Sequence, residues 1–353
     1  MTNEIVFISN IVGNGGAGRV ISILANEFIN MGYEVTICSF IEGYEEYEMD
    51  SRIKRITLPK NKGSVKTQKL RRIISLRNEL KKHENAIVIS FEHFVNMQTI
   101  IAKAGINCKL IVSERNDPAQ QDDRYVFKHL RNALYRYCNT LVCQTPDAKK
   151  YFPQNVQKHA VVIANPIKGD LPEPWTGIRK KEIVNFCRLE KQKNLPLLVD
   201  AFELLHYDYP EYKLSIYGDG SEKENLQEYI IHKKLQGSIQ LYNGTNNVHD
   251  YIKDCAMFVS SSDYEGLSNS MLEAMAIGLP TIVTDCPCGG SRMVIEDGVN
   301  GILTPVNDKQ SLYCAMKRFI ESEAESKIIS ENATKIRETC SYENICKEWI
   351  QLF

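Results

Sequence analysis

Short apolar runs alternate with longer amphipathic stretches along nearly the whole chain. The runs at 5–9, 34–40, 86–91, 109–113, 140–143 and 160–163 read as buried strands. Between them, apolar residues at helical spacing predict helices at 17–30, 66–83, 94–104, 123–137 and 146–151. A Pro-rich passage, Asn165-Pro166-Ile167 and Pro172-Glu173-Pro174-Trp175, interrupts the pattern, so a linker is expected near 165–180. A second series follows, with strands at 182–187, 212–217, 239–242, 255–260 and 280–284 and helices at 194–208, 221–234, 246–253, 269–277 and 308–321. Alternation of this kind predicts an α/β chain of doubly wound parallel sheets. At 353 residues the chain exceeds the size at which one core keeps growing, so two domains are expected.

Composition narrows the class. Hydrophobic residues make up 43% and charged residues 25%, and no run of about 18 apolar residues suits a membrane span. Met1-Thr2-Asn3-Glu4 runs straight into Ile5-Val6-Phe7-Ile8 with neither a basic leader nor a long apolar core, so a cytoplasmic location is expected. The eleven cysteines are scattered through apolar segments and read as buried thiols. Cys286-Pro287-Cys288 has the wrong spacing for a zinc knuckle, and no metal is expected.

Net charge is −1, but residues 1–165 hold 23 Lys+Arg against 16 Asp+Glu while the remainder holds 20 against 28. The excess concentrates between Arg52 and Lys82, where twelve basic residues meet one acid, Glu79. Leu70, Ile73, Ile74 and Leu80 recur there at helical spacing among Lys69, Arg71, Arg72, Arg77, Lys81 and Lys82. A second amphipathic stretch, 124–137, places Val126, Phe127, Leu130, Leu134 and Tyr137 on one face with Lys128, Arg131 and Arg136 outside it. Such helices either pack on a core or lie on an anionic membrane surface. Nucleic acid is not an expected partner, because aromatics do not interleave with the basic residues as a stacking platform needs.

The most informative run is Asp263-Tyr264-Glu265-Gly266-Leu267-Ser268-Asn269-Ser270-Met271-Leu272-Glu273, which sets two carboxylates eight residues apart across a loop-to-helix junction. Asn269 or Ser268 would cap the helix, whose free N-terminal amides and dipole favour a diphosphate. Glu273, about one turn in, suits the hydroxyls of a ribose, and Glu265 would stay near a reacting sugar. With Gly289-Gly290 beyond it, this pattern resembles the E-x7-E segment of retaining glycosyltransferases of family 4.

The resemblance implies the GT-B fold, two Rossmann-like doubly wound parallel-sheet domains facing a cleft. It implies an acceptor-binding domain at 1–168, a nucleotide-sugar donor-binding domain at 178–340, and a C-terminal helix, 342–353, crossing back onto the first domain. In Asn185-Phe186-Cys187-Arg188-Leu189-Glu190-Lys191-Gln192-Lys193-Asn194, Arg188 and Lys193 match the family's diphosphate-neutralising cations, although Cys187 stands where glycine is usual. Such cations would stabilise charge developing on a departing nucleotide. Glu265, Arg188 and Lys193 are therefore the expected catalytic residues. Gly15 and Gly16 in Gly13-Asn14-Gly15-Gly16-Ala17-Gly18-Arg19, Gly218 in Tyr217-Gly218-Asp219-Gly220, Asn243, Asn269, Ser270 and Glu273 complete the expected donor site. Arg19, His93, Glu114 and Arg115 are candidates for acceptor or sugar contacts; Glu114 and Arg115 stand where some family members carry a histidine.

The expected reaction is transfer of a hexose or N-acetylhexosamine from a nucleotide sugar, UDP-linked, to a hydroxyl of a glycan acceptor with retention. The acceptor is expected on a polyprenyl diphosphate at the inner membrane face, in assembly of a capsule, O-antigen or similar polymer. No cofactor or metal is required, since Arg188, Lys193 and helix amides supply the charge; Asp122-Asp123 lacks D-x-D spacing. A sugar-nucleotide epimerase or phosphorylase of the same fold is an alternative. An NAD-dependent oxidoreductase is a more distant one, because Ser39-Phe40-Ile41 stands where a ribose-binding acid belongs.

Overall fold

The computed structural model describes residues 3–13, 15–41, 47–58, 65–121 and 125–353. Asp122-Asp123, Arg124 and part of the basic stretch, including Lys60 and Lys62, lie outside them. The chain divides into two compact units, Met1–Pro166 with Tyr342–Phe353, and Ile167–Ser341.

The first unit runs β1 (Glu4–Ser9), α1 (Gly16–Asn30), β2 (Glu34–Ser39), β3 (Lys54–Thr57), α2 (Val65–Leu80), β4 (Ile87–Phe91), α3 (His93–Lys103), β5 (Lys109–Ser113), α4 (Tyr125–Tyr135), β6 (Thr140–Cys143), α5 (Pro146–Tyr151), α6 (Gln154–Gln157) and β7 (Ala160–Val162). The second runs β8 (Lys180–Phe186), α7 (Leu195–Asp208), β9 (Lys213–Tyr217), α8 (Lys223–His232), β10 (Ile239–Tyr242), α9 (Val248–Ile252), β11 (Cys255–Ser260), α10 (Asn269–Ala276), β12 (Thr281–Thr284), α11 (Gly290–Val294), β13 (Ile302–Thr304), α12 (Lys309–Glu321), α13 (Glu323–Ala333) and α14 (Ile336–Thr339). α15 (Tyr342–Ile350) closes the chain in the first unit.

Each unit is built on one parallel sheet, ordered β3-β2-β1-β4-β5-β6-β7 and β10-β9-β8-β11-β12-β13. Central strands such as β4 are buried along their length, the pattern of a sheet covered on both faces. The strands absent from the sequence reading are short: β3, Lys-Arg-Ile-Thr, is an edge strand with mostly exposed side chains, so it shows no apolar run. α15 completes the first core, with Trp349 fully buried and stacked on Phe91 at 6.0 Å, and Phe353 edge-on to Phe28 at 5.3 Å. The stretch read as linker begins the second unit instead. The Ile167 amide donates to the Cys340 carbonyl at 2.9 Å, and Arg337 donates to the Pro172 carbonyl. All eleven cysteines are free, and nine of them are buried.

α4 departs in part from the sequence reading: Phe127 and Leu134 are partly buried and Arg136 exposed as expected, but other positions are exchanged. Arg131, expected outside, is 1% exposed, whereas Val126, Leu130 and Tyr137 are 71%, 44% and 63% exposed. The reason is local: the Arg131 guanidinium donates to the Pro118 carbonyl at 2.9 Å and lies over the Tyr151 and Phe152 rings at 5.2 and 5.4 Å. α2 divides its apolar positions similarly, burying Leu76 and Leu80 and leaving Leu70 and Ile74 at the surface beside exposed Lys69 and Arg71.

Candidate active site

In both sheets the winding reverses beside the first strand, between β1 and β4 and between β8 and β11. Loops leaving such neighbouring strand ends part to opposite faces, and open α/β sheets take ligands in the crevice left there. The glycine loop after β1, His93 after β4, Arg188 and Lys193 after β8, and Glu265 and Glu273 after β11 fall at these two points, whereas Glu114 and Arg115 follow β5, Gly218 follows β9 and Asn243 follows β10.

In the second unit, β8 and β11 last pair at Val184 and Phe258. Beyond that pair, Asn185 Nδ2 donates to the Val259 carbonyl at 2.7 Å, so the splayed strands leave that buried acceptor satisfied. The following loops are tied together. Ser261 Oγ donates to the Lys193 and Asn194 carbonyls at 3.0 and 2.9 Å, Asn194 Nδ2 to Asp263 Oδ1 at 2.7 Å, and the Asp263 amide to the Gln192 carbonyl at 2.8 Å. This brings Lys193 Nζ onto Glu265 Oε1, with both side chains only 12% exposed. Ser262 Oγ donates to the same oxygen at 2.8 Å, and Gln192 Nε2 donates to Oε2 at 3.2 Å. The Glu265 backbone is held too, its amide donating to the Pro287 carbonyl at 2.7 Å and its carbonyl accepting from the Cys288 amide at 2.9 Å. Burial alone would lower the Lys193 pKa, but the adjacent Glu265 carboxylate outweighs it and raises the pKa above the ordinary lysine value. Arg188 stands exposed at the same strand end, with no ion pair or hydrogen bond to another side chain among the described residues.

α10 starts across the crevice. Its cap is Ser268, whose Oγ accepts from the Met271 amide at 3.4 Å, with Asn269 and Ser270 partly exposed in the first turn. Glu273 is 1% exposed, and His249 Nε2 lies 2.9 Å from its Oε2. Glycine is required at 218, because a Cβ there would stand 1.9 Å from the Cys187 carbonyl oxygen. Asn243 is exposed and accepts from Lys223 Nζ at 2.6 Å.

In the first unit, Gly15 and Gly16 lead into α1, and a Cβ at Gly18 would stand 2.4 Å from the Gly13 oxygen, so the glycine loop folds tightly on the helix. Arg19 lies over the Tyr47 ring at 5.4 Å. At the end of β4, Glu92 sits in the left-handed region at φ 73, and His93 opens α3. Arg115, over the Phe91 ring at 5.2 Å, donates to Ser113 Oγ at 3.3 Å and to Asn165 Oδ1, and desolvation draws its pKa down to about 9. Glu114 points inward: it is 1% exposed, accepts from the Tyr135 hydroxyl, and burial raises its pKa against the opposing pull of Arg131. It belongs to the internal framework of the β5 loop, away from the surface at which a ligand contact was expected.

The sequence reading missed Gln192 and Ser262, which complete the shell of Glu265, and His249, which meets Glu273. His249 carried a signal, since it shares the inward face of a short helix with Ile252. Gln192 and Ser262 carried none, their roles arising only where two loops meet. Among the described residues no group of three or more His, Cys, Asp or Glu is placed to hold a metal ion, and no helix is long and apolar enough to cross a membrane.

Comparison with known proteins identifies the family to which this fold belongs. Residues 176–336 match the family described as glycosyl transferases group 1, and residues 14–170 match glycosyltransferase family 4. A Campylobacter jejuni relative, GalNAc-alpha-(1->4)-GalNAc-alpha-(1->3)-diNAcBac-PP-undecaprenol alpha-1,4-N-acetyl-D-galactosaminyltransferase, is 26% identical across 99% of this chain and 98% of its own. The amylovoran biosynthesis glycosyltransferase AmsD of Erwinia amylovora is 25% identical across 99% of both chains. Anabaena HepE, solved in complex with UDP, superposes with a TM-score of 0.82 over 99% of this chain and 98% of its own at 16% identity. Two family matches that together span most of the sequence, on two Rossmann-like parallel-sheet units of GT-B type, place this chain among the family 4, group 1 glycosyltransferases.

Proposed function

We propose that this enzyme transfers a hexose or N-acetylhexosamine from a UDP-sugar, with retention, to a hydroxyl of a polyprenyl-diphosphate-linked glycan during bacterial surface polysaccharide assembly. The carrying observation is the convergence at the β8/β11 ends of Arg188, the Lys193–Glu265 pair and the first turn of α10. The α10 amides, with Arg188 and Lys193, receive the donor diphosphate and stabilise the charge that grows on it as the glycosidic bond breaks. Glu265 faces the sugar and favours positive character at its anomeric carbon, while Glu273 accepts from the ribose hydroxyls. Gly15, Gly16, Gly218, Asn243, Asn269 and Ser270 are the remaining donor contacts, and Arg19, His93 and Arg115 are acceptor or sugar contacts. With fixed cations at the phosphates, the reaction needs no divalent metal.

The lipid-linked acceptor is supported by the named activity of the Campylobacter relative, and the polymer context by that of the Erwinia one. It is supported also by the surface of the first unit. Leu70 and Ile74 of α2 and Val126 and Leu130 of α4 are exposed, as are Lys69 and Arg71, and Lys69 Nζ lies 5.9 Å from the Phe127 ring of α4; exposed apolar and basic side chains of this kind suit an anionic bilayer. Incubation with a panel of nucleotide sugars and a polyprenyl-diphosphate glycan, followed by NMR of the product linkage, tests the proposal. Turnover of UDP-sugars to an α-linked product in the presence of EDTA is expected. Strict dependence on magnesium, or inversion at the anomeric carbon, would remove this mechanism.

A further inference from the structure

Glu273 is an unusually closed carboxylate for a residue that meets a ligand. It is 1% exposed, on the fifth residue of α10, and an unpaired charge in such a place costs several kcal/mol. Because side chains on a helix lean towards its N-terminus, the Glu273 carboxylate reaches back over the first turn, where the free amides are. Its partner comes from another element. His249, the second residue of α9, is 4% exposed, and its ring sits edge-on to Phe186 at 5.5 Å; Phe186 in turn sits edge-on to Phe258 at 5.2 Å. These aromatic contacts fix the imidazole plane, and Nε2 then stands 2.9 Å from Glu273 Oε2.

We propose that His249 is a positioning residue for nucleotide binding. Its Nε2–H donates to Glu273 Oε2 and holds the carboxylate in the rotamer that meets the ribose diol. Glutamate has three side-chain torsions, and fixing them before the ligand arrives removes an ordering cost from binding. A carboxylate offers about four acceptor positions, so accepting from His249 is compatible with accepting from two hydroxyls. The proposal rests on the reading in which Glu273 takes the ribose.

Two kinds of change separate the two ideas. His249→Phe keeps an aromatic ring against Phe186 and removes the donor. His249→Gln keeps a donor the same number of bonds from the backbone. Calorimetric affinities of UDP, 2′-deoxy-UDP and 3′-deoxy-UDP would be measured for wild type and both variants, with donor KM and kcat alongside. Wild type should lose about tenfold in affinity with each ribose hydroxyl removed, the range of a hydrogen bond to a charged group. His249→Phe should bind UDP about tenfold more weakly, raise the donor KM similarly, leave kcat within about twofold, and barely distinguish UDP from its deoxy analogues. His249→Gln should recover most of that discrimination. If His249→Phe is poorly folded, His249→Met should show the same loss. Equal discrimination in wild type and the non-donor variants would overturn the role of His249 while leaving Glu273 on the ribose. No discrimination by the wild type would overturn the ribose assignment and the proposal with it.

Discussion

The Lys193–Glu265 pair makes the sharpest test, because it predicts opposite outcomes for stability and catalysis. Removing one member of a buried ion pair leaves the other uncompensated, at about 3–5 kcal/mol. Here each side chain is 12% exposed, and Ser262 and Gln192 continue to donate to Glu265 when Lys193 is removed. Lys193→Met should therefore fall at or just below that range, about 2–3 kcal/mol. Glu265→Gln leaves the Lys193 ammonium without its counter-charge and should cost at least as much. Joining the two changes removes both charges, so the double variant should recover about 2 kcal/mol relative to the sum of the singles. For a unit of this size, each kcal/mol corresponds to about 2–4 °C in Tm. The chain has two tryptophans, Trp175 in the second unit and Trp349 in the first, so fluorescence in a Trp349→Phe background follows the unit that holds the pair. Catalysis should not recover: if Lys193 meets the leaving diphosphate, Lys193→Met and the double variant should both lose on the order of a hundredfold or more in kcat. Singles within about 0.5 kcal/mol of wild type, or strictly additive costs in the double variant, would refute the pairing. A restabilised double variant with wild-type kcat would refute the catalytic role.

Three further outcomes are expected. Glu273→Ala should weaken nucleotide binding by about 1–3 kcal/mol in calorimetry, since a charged ribose hydrogen bond is lost; unchanged affinity would sink the donor-site assignment. The folded Lys193 pKa lies above the ordinary value of 10.5, so the pair's contribution is present at neutral pH and fades as pH rises through the folded value; the stability gap between wild type and Lys193→Met should narrow in alkaline denaturant titrations, and a gap that stays constant there would refute the pairing. Liposome sedimentation should find the protein bound to anionic vesicles at low salt and released at high salt, with Lys69→Glu and Arg71→Glu together abolishing binding; binding indifferent to both changes would point to another docking surface.

How much of this was legible in the sequence follows from where each signal resides. Strand runs buried on both faces, and glycine turns such as Gly218 against Cys187, are encoded locally, so the alternation and the motif positions were readable. β3 was not readable, because an edge strand with exposed Lys54 and Arg55 has no apolar run to betray it. Arg131 is the instructive case. Periodicity put it on the wet side of α4, yet the unit supplies a carbonyl acceptor at Pro118 and two aromatic faces, and a guanidinium with such partners is buried at modest cost, while Val126 and Leu130 turn outward. Amphipathic periodicity locates a helix's two faces, but long-range partners decide which one the core takes. The same holds at the site. Lys193 and Glu265 were each found by motif and assigned separate ligands, a phosphate and a sugar, yet in the fold they meet each other, held by Ser261, Asn194 and Asp263. In the proposed donor site the diphosphate would therefore meet a cation already engaged with Glu265 and would compete with that carboxylate for Lys193. Arg188, exposed at the same strand end, would enter no such competition and, on that proposal, would make the first contact with an arriving nucleotide. On that basis Arg188→Ala should lower the nucleotide association rate more than Lys193→Met does, while Lys193→Met should act mainly on kcat; stopped-flow binding that ranked the two the other way would reverse the order of engagement.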